Sequence, residues 1–274
     1  MDAPSRTDLE NGVLDSATLR QFITAAAGTS IVSRLGQTLT PLSEIEEPTG
    51  THKVPLGAPY IITDDDTYSI PAGVVGALVI CVSGGGSGGN AAPALTTASA
   101  GSGGGGPGVS VSWLVNPAEI AFVIGAGGAQ TPLGSNNTDG DLNYGEKGGD
   151  TTATDTVAGL FCRAEGGQPG RAVPAGTNGD AEGGGGGNHD TAIGNLLKLA
   201  GDSGGYAFIN GVSSACIGGR GGTGADGQAG GKEAMTTGPG NGPGGGAMCR
   251  LDATGHQGAA GRDGYAILQF YTEV

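Results

Sequence analysis

The chain has 274 residues, 60 of them Gly and 14 Pro, with 4% aromatic and 14% charged residues; glycine stands about threefold above average soluble usage and charge well below it. The formal charge of −14, from 12 Lys plus Arg against 26 Asp plus Glu, argues against a nucleic-acid surface, which needs grouped basic side chains to meet phosphates. The longest apolar run, Val74–Val82, is broken by Gly76 and falls far short of the ~20 residues of a membrane-spanning helix, and Met1–Glu10 lacks the basic start and apolar stretch of a secretory signal.

Glycine is unevenly spread: residues 1–75 hold 6 and residues 76–274 hold 54. The composition therefore divides the chain into an N-terminal segment (1–50), a linker with the first strands (51–75) and a glycine-rich domain (76–274). In the first of these, Asp15 or Ser16 can cap a short helix whose apolar positions Leu19, Phe22, Ile23 and Ala26 follow the i, i+3, i+4, i+7 spacing, with Gly28 as its stop. About 12 residues make a marginal helix alone, so this stripe, with Leu35 from the following apolar group, is expected to mediate oligomerisation or attachment. The stretches Leu9–Asp15, Leu19–Phe22 and Ser33–Leu42 resemble the virion-proximal segment of bacteriophage tail fibres and appendages, which leads into a trimeric stalk. That resemblance implies a homotrimer whose N-terminus binds other phage tail proteins.

Further along, apolar segments at Val74–Val82, Val109–Val115, Ile120–Ile124, Ala158–Ala164, Tyr206–Ile209 and Tyr265–Tyr271 are rich in β-branched residues, and several alternate. They predict strands and exclude a simple flexible linker. The three consecutive carboxylates Asp64, Asp65 and Asp66 read as a solvated turn between them.

The glycines between the strands recur every third residue, as in Gly218, Gly221, Gly224, Gly227 and Gly230, or Gly255, Gly258, Gly261 and Gly264. Three residues per turn is the polyproline II repeat, a helix without internal hydrogen bonds whose backbone groups are satisfied inside a compact body only by neighbouring chains. Collagen needs a far longer Gly-X-Y register and more Pro. The expected fold is mainly β and irregular: a short helical N-terminal stalk, then strands feeding a packed bundle of glycine-rich polyproline II-type rods. Gly218 to Gly230 is expected to form one rod of ~37 Å at ~3.1 Å per residue, with Ala225 off the glycine register and its side chain directed toward solvent or a strand rather than into the rod contact.

The run from Thr67–Val74 through Gly84–Gly86, Gly103–Trp113, Asn116–Glu119 and Gly125–Gly128 to Gly261–Leu268 resembles the glycine-rich domain at the ends of phage tail fibres and, less closely, the polyglycine-helix adhesins of T-even-like phages. That resemblance implies virion localisation after synthesis in the host cytoplasm, and contact of inter-rod loops with a bacterial surface polysaccharide or outer-membrane protein. The corresponding segments are Asn90–Ala100, Gln130–Glu146, Gln168–Glu182, Asn188–Leu199 and Lys232–Thr237. Sugar recognition combines aromatic faces with planar polar groups, which selects Asn143, Tyr144, His189 and Tyr206. The competing class is a structural connector or decoration protein of the virion.

The remaining chemistry points away from an enzyme, and no cofactor is expected. The sequence contains neither GxSxG nor GxxxxGK[ST], and GxGxxG spellings arise by chance at this glycine content. Cys81, Cys162, Cys216 and Cys249 are far apart, without zinc spacing, and the first three, in apolar surroundings, read as small buried thiols. Asn137, Asp139, Asp141 and Asn143 alternate as oxygen donors and form a weak Ca²⁺ candidate that lacks the Glu and Gly of an EF-hand loop.

Overall fold

The computed structural model describes residues 53–133, 144–173, 179–188, 191–210, 215–232, 239–240, 242–252 and 254–273. Their strands, in chain order, are β1 (Lys53–Ile62), β2 (Asp66–Ser69), β3 (Val74–Val82), β4 (Ala94–Gly101), β5 (Val109–Val115), β6 (Glu119–Val123), β7 (Thr151–Asp155), β8 (Gly159–Ala164), β9 (Ala172–Val173), β10 (Gly179–Ala181), β11 (Leu197–Leu199), β12 (Ala207–Asn210), β13 (Ala215–Ile217), β14 (Met248–Asp252) and β15 (Tyr265–Glu273). The protein is mainly β, with no helix among the described residues. The expected N-terminal helix lies outside them.

A two-sheet sandwich forms the base. One sheet has the order β1-β15-β3-β5-β11 and the other β2-β6-β7-β8. In β3, a nearly unbroken apolar run, most residues are buried on both faces because the strand lies between β15 and β5. Its Ala77, Val79 and Cys81, with Leu268 and Phe270 of β15, meet Ile120 and Phe122 of β6 and Cys162 of β8. Each large side chain in this layer contributes about 1.5–3 kcal/mol by leaving water. The opposite face of β3 and β15 is closed by Val109, Leu199 and Ala225 against Ile80, Val82 and Ile267. Residues 53–62, expected to belong to a linker with the first strands, form β1 and pair with β15 along its length.

Six sandwich strands run into glycine segments at one edge: β3, β6 and β8 leave into them, while β5, β7 and β15 emerge from them. There the hydrogen bonding changes from ladders to a three-residue repeat. In the segment after β3, the amides of Gly85, Gly88 and Ala91 donate to the carbonyls of Arg262, Ala259 and His256; those of Gly84 and Ser87 donate to Gly149 and Glu146; those of Gly86 and Gly89 donate to Gly105 and Ser102. Its carbonyls in turn accept from Gly167 and Gly170, from Gly128 and from Ala247. Successive residues thus bond to different neighbours, and six segments surround this one. The segment before β5 behaves the same way, with Gly103 and Gly106 donating to Gly205 and Asp202, and Gly184 and Gly187 donating to Gly103 and Gly106.

The glycine register follows from this spacing. A Cβ on Gly258, Gly261 or Gly264 would overlap the carbonyl oxygens of Gly88, Gly85 and Val82 respectively. One face of residues 255–264 therefore has room only for hydrogen, at every third position.

Beyond the lattice lie two three-stranded sheets, β14-β4-β9 and β10-β12-β13. A small core of Ala98, Ala100, Val173, Ala181, Ala207 and Ile209 joins them.

The expected single rod from Gly218 to Gly230 is not what forms. The chain crosses the lattice once from β13, reverses at Ala225–Gly227, where Gly227 takes φ +80° and donates to Gly224 O at 2.8 Å, and returns with Gly221 N bonding to Gly231 O at 3.0 Å. The register survives the reversal because both arms face other backbones: a Cβ on Gly230 would overlap Gly221 O. Ala225, expected to face solvent or a strand, packs on strands. It is 1% exposed, within the cluster that closes the outer face of the sandwich.

Candidate functional site

The strand directions give the body two poles. β15 leaves the lattice at Tyr265 and ends at Glu273, which pairs with Lys53 at the start of β1. Both ends of the described chain therefore lie at the sandwich edge away from the glycine segments. The two small sheets lie at the opposite pole.

At that pole the base of the segment 132–143 is clamped. Asn90, fully buried, donates through Nδ2 to Thr131 Oγ1 at 2.9 Å and to the Thr131 and Pro132 carbonyls at 3.2 Å each. Gln257 Nε2 donates to Thr131 O at 2.8 Å, Gly258 N donates back to Asn90 Oδ1 at 2.9 Å, and Thr131 Oγ1 donates to Tyr144 O at 2.6 Å. Two separate segments thus hold the point where the chain leaves the lattice, and Thr131 ties it to Tyr144, where the described chain resumes.

Beside it, burial alternates along β12 and the residue before it. Ala207 and Ile209 are buried at 0% and 2%, while Tyr206 and Phe208 are 63% and 42% exposed. On β10, which pairs antiparallel with β12, Asp180 is opposite Phe208 and Ala181 is opposite Ala207; Glu182 and Tyr206 are the residues just beyond the paired strands. Asp180 and Glu182 are exposed, and Ala181 is buried. Since a strand's side chains alternate between faces, two aromatic rings and two carboxylates share the outer face of this sheet.

Of the residues selected from sequence, Tyr206 lies on that face and Tyr144 is half-buried at the loop clamp. Asn143, His189, the Ca²⁺ candidates Asn137, Asp139 and Asp141, and the oligomerisation residues Leu19, Phe22, Ile23 and Leu35 lie outside the described residues. The described residues of the expected loop Asn188–Leu199 are placed against the sandwich instead. Asn188 donates to Leu199 O at 2.8 Å and accepts from Glu165 N at 2.8 Å, Ile193 bridges Arg163, and Leu197–Leu199 extends the sandwich sheet beside β5. Its apolar residues Ile193, Leu197 and Leu199 are strand material, which explains the difference. Phe208, Asp180 and Glu182 were not selected, although the alternation in Tyr206-Ala207-Phe208-Ile209 puts Phe208 on the face of Tyr206.

An open cleft of about 320 Å³ lies where the sandwich meets the lattice, lined in part by Asp64, Asp65 and Asp263. Its carboxylates cap backbone: Asp65 accepts from Ile124 N at 2.8 Å and Asp263 from Gly127 N at 2.7 Å. Asp66, expected in the same turn, instead begins β2. Among the described residues no group of three or more His, Cys, Asp or Glu could hold a metal ion.

A family model described as a glycine-rich domain matches residues 63–271, and the chain belongs to that family. No curated protein matches it.

Proposed function

We propose that this chain is a non-enzymatic phage tail-fibre or tail-appendage protein, attached to the virion through residues 1–50 as a homotrimer and binding a bacterial surface receptor through the pole formed by the two small sheets. In this reading the glycine segments are polyglycine II-type rods packed into a rigid lattice, and the lattice is a spacer and platform that needs no cofactor. The observation that carries the proposal is the polarity of the body. Lys53 and Glu273 lie together at one end, so the 52 residues before Lys53 join there, while the clamped loop and the exposed aromatic face occupy the other.

A rigid lattice suits this role because surface loops on a fixed scaffold bind without a large ordering cost. The test is binding of labelled full-length protein to bacterial cells, combined with antibody location of each pole on virions. Binding through the loop pole supports the proposal. Absence of binding, with the body located inside the tail, favours a connector instead.

A further inference from the structure

We infer that the outer face of the β10-β12 pair is a carbohydrate site, in which Tyr206 and Phe208 stack on an uncharged sugar unit while Asp180 and Glu182 accept hydrogen bonds from its hydroxyls. The inference rests on the receptor-binding reading and gives it a ligand class.

Three observations lead to it. The chain is poor in aromatics, and the large rings of the sandwich are buried or stacked: Phe122 and Phe270 are 2% exposed each, and Tyr60, itself 43% exposed, leans on Tyr68 at 5.1 Å and Phe270 at 6.0 Å. Tyr206 and Phe208 instead present themselves side by side, two residues apart and so ~7 Å along the strand, which is the span of a sugar ring. Burying Ala207 and Ile209 on the inner face does not require rings on the outer one.

Next, Asp180 is paired opposite Phe208, about 5 Å away, and the exposed Glu182 follows two residues on. Ionised carboxylates only accept hydrogen bonds, and they do so strongly. Hydroxyl groups on the rim of a ring stacked over Tyr206 and Phe208 are donors of the kind they match. Arg220 runs alongside Gly205, next to Tyr206. Asp180 and Glu182 put two like charges on the side of the rings where an anionic sugar would have to sit, which disfavours it.

Finally, Ile217 of β13 is paired opposite Phe208, so the rings have an apolar neighbour on one side and carboxylates on the other, a division that matches the apolar faces and hydroxyl rim of a sugar.

The experiment measures binding of the full-length protein to an array of bacterial lipopolysaccharides and capsular polysaccharides of defined repeat, uncharged and acidic, and in parallel to whole cells from a panel of strains. Tyr206→Ala and Phe208→Ala are each expected to weaken binding to an uncharged repeat at least tenfold at unchanged melting temperature, and Tyr206→Trp to keep it within about threefold. Binding confined to acidic repeats, or alanine variants that bind as tightly as the parent, overturns the inference. So does a change of oligomeric state in Phe208→Ala, which would make the face a self-association surface. If parent and variants bind cells equally, this site is wrong and the receptor-binding reading stands; if the parent binds neither cells nor any polysaccharide, both fall.

Discussion

Gly261 lies so close to Gly85 that a Cβ on it would overlap the Gly85 carbonyl oxygen, while the Gly85 amide donates at 2.8 Å to the carbonyl of the next residue, Arg262. The two antiparallel segments are thus held together at the same place that excludes a side chain. Gly261→Ala must push them apart or break bonds. With strain of about 1–3 kcal/mol and a similar cost for each buried group left unpaired, a loss of several kcal/mol is expected. Gly179, where a Cβ meets nothing within 4 Å, should accept Ala within about 1 kcal/mol. Thermal melts of the two variants compare the sites directly, and equal melting temperatures would count against the lattice.

Arg262 also holds the buried carboxylate of Asp226, with Nη2 at 2.9 Å from both oxygens, and the Asp226 side chain is 1% exposed. Removing the guanidinium leaves a buried negative charge in place. Arg262→Ala is expected to cost about 3–5 kcal/mol, and replacing both partners by apolar residues of similar size should restore much of it. Denaturant unfolding of the single and double variants measures this. A double variant no better than the single would mean the pair is not the source of the loss.

Asp155 bears on acid stability. Burial pushes its carboxyl up, but amide donors, those of Ala158, Ala118 and Val157 among them, outweigh this and hold it below the usual carboxylate range. A depressed folded-state value stabilises the protein above the unfolded value of about 3.9 and loses that contribution as pH falls through the folded value. Asp155→Asn should therefore be less stable than the parent at neutral pH, with the gap narrowing below about pH 4. A gap that stays constant across that range would show that the ionised form is not what matters.

The thiols of Cys81 and Cys162 are free and buried. Desolvation, then the neighbouring Cys162, pushes Cys81 well above its ordinary value, while the Cys81 hydrogen bond lowers Cys162, so the protection of the pair rests on burial that keeps the reagent out. Iodoacetamide at pH 8 should leave both unlabelled in the native protein and label both after unfolding, as peptide mass mapping will show. Rapid native labelling of either residue would contradict their placement between the sheets.

Much of the base was legible because apolar runs have few ways to be satisfied. The segments Val74–Val82 and Val109–Val115 form β3 and β5 with the expected bounds, and the strand expected from Tyr265 forms β15. β4 and β7 were not anticipated, since Ala-Leu-Thr-Thr-Ala-Ser-Ala-Gly and Thr-Thr-Ala-Thr-Asp carry small residues and little hydrophobic signal. Their pairing comes from where the lattice delivers the chain. The three-residue glycine repeat signalled contact between backbones but not the length of a segment, because a reversal at Gly227 leaves the repeat intact on both arms. The same register leaves Ala225 to face solvent or a strand, and in space it packs on β3, β5 and β15.

The central claim is that the glycine-rich body is a hydrogen-bonded solid that sets its two poles apart. Native-state hydrogen exchange resolved to single amides tests it most directly. The amides of Gly84–Gly89 and Gly101–Gly106, each bonded to a neighbouring segment at 2.7–3.0 Å, should exchange as slowly as those of β3 and β15, through opening of the whole body. Exchange of these glycines at the rate of an unstructured peptide, while β3 and β15 remain protected, would contradict the account and leave the sandwich as the only ordered part.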